Sequence, residues 1–238
     1  MLLLYEKSRI FGRYQPIKIM FYFRLDRLFV KDNRRRTIFK SRDKADLQIY
    51  SFVTTSDNPL PALKALTRAR SERSIQRIIR AATREVIASR VFTPVKNIKD
   101  NHELTFGDTG IVLYRADTIP PDFNWQLVVI GSRRKTRDDA KMFKAVVEDE
   151  EFISFSSSLM RALEGAQDPK TLAAVEIGKY VARFLLHFHS TKEDDQLGLI
   201  YQSWNRQEHY EHGKRFKDNV PDLTKNMFYD YSMFGFDE

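Results

Sequence analysis

The chain has 238 residues, 42% of them hydrophobic and 30% charged, a balance typical of a folded protein with a sizeable core rather than a disordered one. It has no cysteine, which excludes a disulfide framework, a thiolate zinc site and a cysteine nucleophile. Forty basic residues against 32 acidic ones leave a net charge of +8, which bears on partners rather than on fold.

Aromatics make up 13% of the chain, mostly Phe and Tyr, and favour half-buried pleated surfaces. From Pro16, IKIMFYFRLDRLFV reads as a strand, and the charged run at 31–36 as a solvated loop or hairpin tip. Residues 47–53 form a second strand, with Leu47, Ile49, Ser51 and Val53 on one face and Gln48, Tyr50 and Phe52 on the other. A helix over 58–89 follows, capped by Asn58 and opened by Pro59. Extended chain at 91–94 leads to strands at 102–106, 111–114 and 125–130. The pattern then turns helical. Asp138 caps a helix to Glu148, Ser156 one to Leu163, and Asp168 with Pro169 opens a third to Phe188. Ala173, Ile177, Tyr180, Val181, Phe184, Leu185 and Phe188 give that third helix a core face. Strands at 197–203 and 227–236 close the chain, the last too apolar to stand free in water.

Between residues 70 and 86 the charges segregate. At about 100° per residue, Arg70, Arg73, Arg77, Arg80 and Arg84 occupy roughly one third of the helix circumference. Ile75, Ile78, Ile79, Ala82 and Val86 lie opposite, and only Glu72 and Glu85 are acidic in the stretch. Guanidinium forks suit phosphate and carboxylate oxygens. The ridge is therefore the candidate anion-binding site.

Two stretches resemble C2 domains, β-sandwich modules that often dock on phospholipid with calcium. One is Lys44-Ala45-Asp46 running into Leu47-Gln48-Ile49-Tyr50-Ser51-Phe52-Val53. The other is Thr136-Arg137-Asp138-Asp139 after Leu127-Val128-Val129-Ile130, or else Asp194-Asp195-Gln196-Leu197-Gly198-Leu199-Ile200. The resemblance implies an antiparallel sandwich and calcium held by loop acids, with Asp32, Asp46, Asp138, Asp139, Asp194 and Asp195 at the matching positions. Calcium takes six to eight oxygens. Yet Gly131, Ser132, Arg133 and Arg134 precede Asp138, and His187, His189, Ser190 and Lys192 precede Asp194. The expected cofactor is accordingly none, with docking by direct charge.

No phosphate-binding loop, dinucleotide fingerprint, nucleophile elbow or H-E-x-x-H helix occurs, so the expectation is a non-enzymatic protein. His187 with His189 and His209 with His212 are the histidine pairs a metal could use, and Glu208-His209 the base pair a hydrolase could use. Trp125 and Trp204 are core aromatics, or stacking platforms if exposed. The sequence-level reading is thus a single β-rich α+β domain over 1–238, a C2-like antiparallel sandwich with helical insertions at about 58–89 and 138–188. Its expected role is docking on an anionic membrane surface or an acidic protein. The alternatives are a nucleic-acid-binding protein such as a metal-dependent nuclease, and a subunit that oligomerises through its aromatic C-terminus. With no signal-peptide pattern at the start, the expected place is the cytoplasm or the cytoplasmic membrane periphery.

Overall fold

Alternating burial defines the first strand. In β1 (Phe21–Val30), Phe21, Phe23, Leu25, Leu28 and Val30 are wholly buried, while the residues between them are partly exposed. The computed structural model describes residues 21–34, 44–57, 60–132, 139–190 and 195–236. β1 pairs antiparallel with the C-terminal strand β9 (Met227–Gly235) along one side. Along its other side it pairs first with β5 (Ile111–Ala116) and then with β4 (His102–Thr105). β8 (Gly213–Pro221) closes the far edge against β9. This is sheet A. Sheet B has the antiparallel order β3 (Val91–Ile98), β2 (Ala45–Thr54), β6 (Asp122–Ser132), β7 (Asp195–Asn205).

Both helical insertions leave and re-enter sheet B. Between β2 and β3 lie a 3-10 helix (Pro61–Arg68) and α1 (Glu72–Ala88). Between β6 and β7 lie α2 (Asp139–Glu148), α3 (Glu150–Leu163) and α4 (Pro169–Ser190). A single turn, α5 (Arg206–His209), follows β7. The helices cover the face of sheet B that looks away from sheet A, so sheet B is the middle of three layers.

That position explains why β2 and β6 are apolar on both faces. Leu47, Ile49, Trp125, Leu127 and Val129 join the inter-sheet core, whereas Tyr50, Phe52, Val128 and Ile130 pack against Ile79, Val86, Val181 and Leu185 of the helices. Aromatics dominate between the sheets. Phe23 meets Trp125 edge-on at 4.9 Å, and Trp125 meets Tyr229 at 5.4 Å. Gly198 on β7 allows the close approach of Met227, because a Cβ there would lie 1.7 Å from the Met227 Cε.

Several boundaries differ from the sequence-level reading. The expected helix over 58–89 is two elements, with a break at 69–71, because Ser71 rather than Asn58 caps α1; its side chain accepts from the Ser74 N–H at 3.3 Å. Asn58 and Pro59 lie outside the described residues. α3 begins at Glu150, capped by Asp149, whose carboxylate accepts the Glu151 N–H at 2.8 Å. Ser156 is instead buried mid-helix and donates to the Ile153 carbonyl. β8 was not expected at all: its residues are mostly exposed and polar, so no burial period marks it. The aromatic C-terminus packs on the chain's own body as β9, inside sheet A. No described helix is long and apolar enough to cross a membrane.

Candidate anion-docking ridge

α1 is held by one apolar stripe. Ile79, Ala82 and Val86 are at most 1% exposed, Ile87 is buried beside them, and Ile75 and Ile78 are half-buried. Thr83, on the same side, satisfies its hydroxyl by donating to the Ile79 carbonyl at 2.8 Å. Burying this stripe fixes the rotation of the helix, and the arginines point outward as a consequence. Arg73, Arg77, Arg80 and Arg84 are all exposed. At about 1.5 Å per residue their Cα atoms span roughly 16 Å along the axis.

Arg70 is a partial correction. It lies before the Ser71 cap, outside the helix, so it does not share the ridge's angular register. It remains exposed, near Lys64 and Arg68 of the 3-10 helix, which are exposed too. The basic surface is therefore a helical row of four arginines with a non-helical extension at its N-terminal end.

The two acids of the stretch have other partners. Glu85 accepts the Ala62 N–H with both carboxylate oxygens, at 3.1 and 3.0 Å, satisfying a donor at the start of the 3-10 helix. Glu72 accepts from the Gln76 amide at 3.3 Å. Arg80 lies over the Phe152 ring at 5.6 Å. Among the described residues, no carboxylate reaches salt-bridge distance of any of the five arginines.

A groove of about 550 Å3 opens at the Arg70 end. Leu66, Ile75, Met160 and Leu163 supply apolar lining, and Arg70, Glu72, Arg161 and Glu164 supply charged lining of both signs. A larger groove of about 830 Å3 runs between α3 and α4, over the stacked rings of Phe155 and Tyr180, and carries charges of both signs.

Among the described residues, the other sequence candidates do not assemble. The Asp32 carboxylate accepts the Arg34 N–H at 2.6 Å, and that of Asp46 accepts the Asn97 N–H at 3.1 Å. Asp195 opens β7 opposite Gly131. Asp138 and Asp194 lie outside the described residues, as does the side chain of Asp139. Among the described residues no group of three or more metal-ligating side chains converges. Glu208 stands 3.9 Å from His209, while its backbone N–H caps onto Asn205. Trp125 and Trp204 are buried between the sheets, which removes them as exposed stacking platforms.

Sequence reasoning missed the outward face of sheet A, where Arg24 and Lys214 lie against the rings of Tyr22, Phe216 and Phe234. The available signal was weak: one Phe among the cations of Gly213-Lys214-Arg215-Phe216-Lys217. No family model matches the chain, and no curated protein or solved structure matches it either.

Proposed function

We propose that this chain is a non-enzymatic docking module that binds an acidic segment of a partner protein along the α1 ridge. One observation carries the reading: Arg73, Arg77, Arg80 and Arg84 stand exposed in a row without carboxylate partners among the described residues, over a buried stripe that prevents the helix from turning them away. Charge-assisted bonds from guanidinium to carboxylate are the interaction such a row offers. The groove beside Arg70 gives an acidic segment a place for one apolar anchor.

A phospholipid surface is the weaker fit. Membrane-lying helices place large apolar side chains at the lipid boundary. The large exposed apolar residues among those described are Val112, Ile153, Phe216, Leu223 and Phe236, none of them on the 3-10 helix or α1. The same proposal treats the whole chain as one domain, and the C2-like assignment belongs to it as well. Support for the likeness is that residues 44–53 lead into and form β2, and that Asp195 begins β7. The helical layer over sheet B departs from it.

The test is the triple variant Arg73→Glu/Arg77→Glu/Arg84→Glu, which leaves Arg80 on its ring. Poly-L-glutamate and vesicles of phosphatidylserine with phosphatidylcholine serve as probes. At about 1 kcal/mol per reversed contact, affinity for polyglutamate falls roughly a hundredfold while the melting temperature holds. Undiminished binding by a folded triple variant refutes the ridge. Binding to vesicles but not to polyglutamate refutes the acidic-protein assignment.

A further inference from the structure

We propose that the outward face of sheet A binds single-stranded nucleic acid, stacking bases on Tyr22, Phe234 and Phe216 while Arg24, Arg115 and Lys214 hold phosphates. The inference rests on a different layer from the α1 ridge and stands independently of it.

Register places these side chains together. Tyr22 pairs with Arg115 of β5 on one side and Phe234 of β9 on the other, and Phe234 pairs with Lys214 of β8. Neighbours in a sheet share a face, so Arg115, Tyr22, Phe234 and Lys214 form one row across four strands. The next row outward on that face runs Arg24, Ser232, Phe216. The intervening residues Phe21, Phe23 and Met233 point into the inter-sheet core, which fixes both rows outward.

Cations and rings interleave within these rows. The Arg24 guanidinium carbon lies 4.7 Å from the Phe234 ring centroid and 5.3 Å from that of Tyr22. Lys214 Nζ lies 5.1 Å from Phe234 and 5.8 Å from Phe216. Phe216 is 61% exposed, and Lys214 and Arg115 are exposed as well. The Arg24 Nε is buried and has no hydrogen-bond partner among the described residues.

The acids of the face have partners of their own, and Asp26 also lies in the field of Arg24 and Lys214. Asp26 accepts from the Ser232 hydroxyl at 3.1 Å, and Arg27 takes Asp230 through two bonds of 2.6 and 3.0 Å and Glu103 through one of 3.0 Å. Asp218 is exposed, four residues along β8 from Lys214.

This combination selects the ligand class. Lysine on an edge strand guards against strand addition, but that purpose does not call for an exposed phenylalanine beside it. An acidic protein would use the cations and leave the rings idle. Unpaired bases use both: each has a π face for a ring, and its backbone brings a phosphate to a neighbouring cation. A duplex hides its base faces and is excluded by the same argument.

The experiment measures anisotropy of fluorescein-labelled oligo(dT) and oligo(U) with the full chain at several salt concentrations. A labelled duplex and the vesicles above are run in parallel. Phe216→Ala and Lys214→Ala sit on an exposed edge strand, and thermal melts check that both fold. Binding to both single strands and not to duplex is expected. Phe216→Ala is expected to weaken it by about fivefold to a hundredfold with the salt slope unchanged. Lys214→Ala is expected to weaken it and to reduce the slope by about 0.7, one phosphate contact. The α1 triple variant is expected to bind oligonucleotide like the parent. The proposal is overturned if single strands are not bound at low salt, or if duplex or vesicles compete equally. It is also overturned if Phe216→Ala has no effect, or if the α1 variant abolishes binding, which would move the site to the ridge.

Discussion

Replacing Asp222 with Ala tests how the turn between β8 and β9 is fastened to sheet B. The carboxylate is 4% exposed and accepts five hydrogen bonds. One oxygen takes the Leu199 N–H of β7 at 2.9 Å, the Thr224 N–H at 3.0 Å and the Thr224 hydroxyl at 2.7 Å. The other takes the N–H groups of Asn226 at 3.1 Å and Met227 at 2.9 Å. A single side chain therefore ties the sheet A turn to a strand of sheet B. Alanine leaves four backbone donors without this acceptor. The Asn226 N–H keeps a second acceptor in the Thr224 hydroxyl at 3.3 Å, but the N–H groups of Leu199, Thr224 and Met227 lose theirs, and at about 1 kcal/mol each this costs about 2–4 kcal/mol. For a chain of this size that lowers the melting temperature by roughly 5–15 °C. In urea unfolding the midpoint should fall with the slope unchanged, since the surface exposed on unfolding stays the same. Leu223, next in the chain and 61% exposed, is the control: Leu223→Ala should stay within about 0.5 kcal/mol of the parent. A loss below about 1 kcal/mol for Asp222→Ala would refute the reasoning, because donors that water satisfies at no cost are not the fastening.

The two faces of α1 should respond oppositely to truncation: Ile79→Ala should cost about 2–5 kcal/mol in chemical denaturation, and Arg84→Ala less than about 0.5 kcal/mol. Gly198→Ala should cost about 1–3 kcal/mol by driving a methyl into buried Met227, and a double-mutant cycle with Met227→Ala should show strong coupling rather than additivity. The pH dependence has a defined sign. Burial pushes the Asp230 carboxyl up, but the bonds from Arg27 and from the Asn219 N–H outweigh it and hold the group below the usual carboxylate range. Its contribution is therefore present above the unfolded value and lost as pH falls through the lower folded value, so Asp230→Asn should make the acid limb of a Tm-versus-pH curve shallower. Asp26 has the opposite sign, since burial raises it despite Ser232 and Arg24; its contribution is lost as pH rises, and Asp26→Asn should raise Tm at neutral pH.

The two periodicities that carry the fold were legible in the order of residues because each is local. Alternation over 47–53 marks a strand from its own side chains, and recurrence through Ala173, Ile177, Val181 and Leu185 marks a helix face, since water exclusion acts on neighbours two or about four positions apart. The same logic exposed the α1 ridge, whose orientation follows from where its isoleucines must go. Tertiary structure alone decided the rest. β8 is invisible locally because an edge strand with exposed side chains has no burial to report, and it exists through its ladder with β9. That no carboxylate among the described residues pairs with the ridge arginines depends in part on Glu85 turning to Ala62, 23 positions away. The outward array of sheet A joins residues 22, 115, 214 and 234, which only strand register can bring into one row. Helix starts lie between these cases: Ser71 and Asp149 are residue types that cap helices well, yet propensity alone did not single them out among the capping residues nearby.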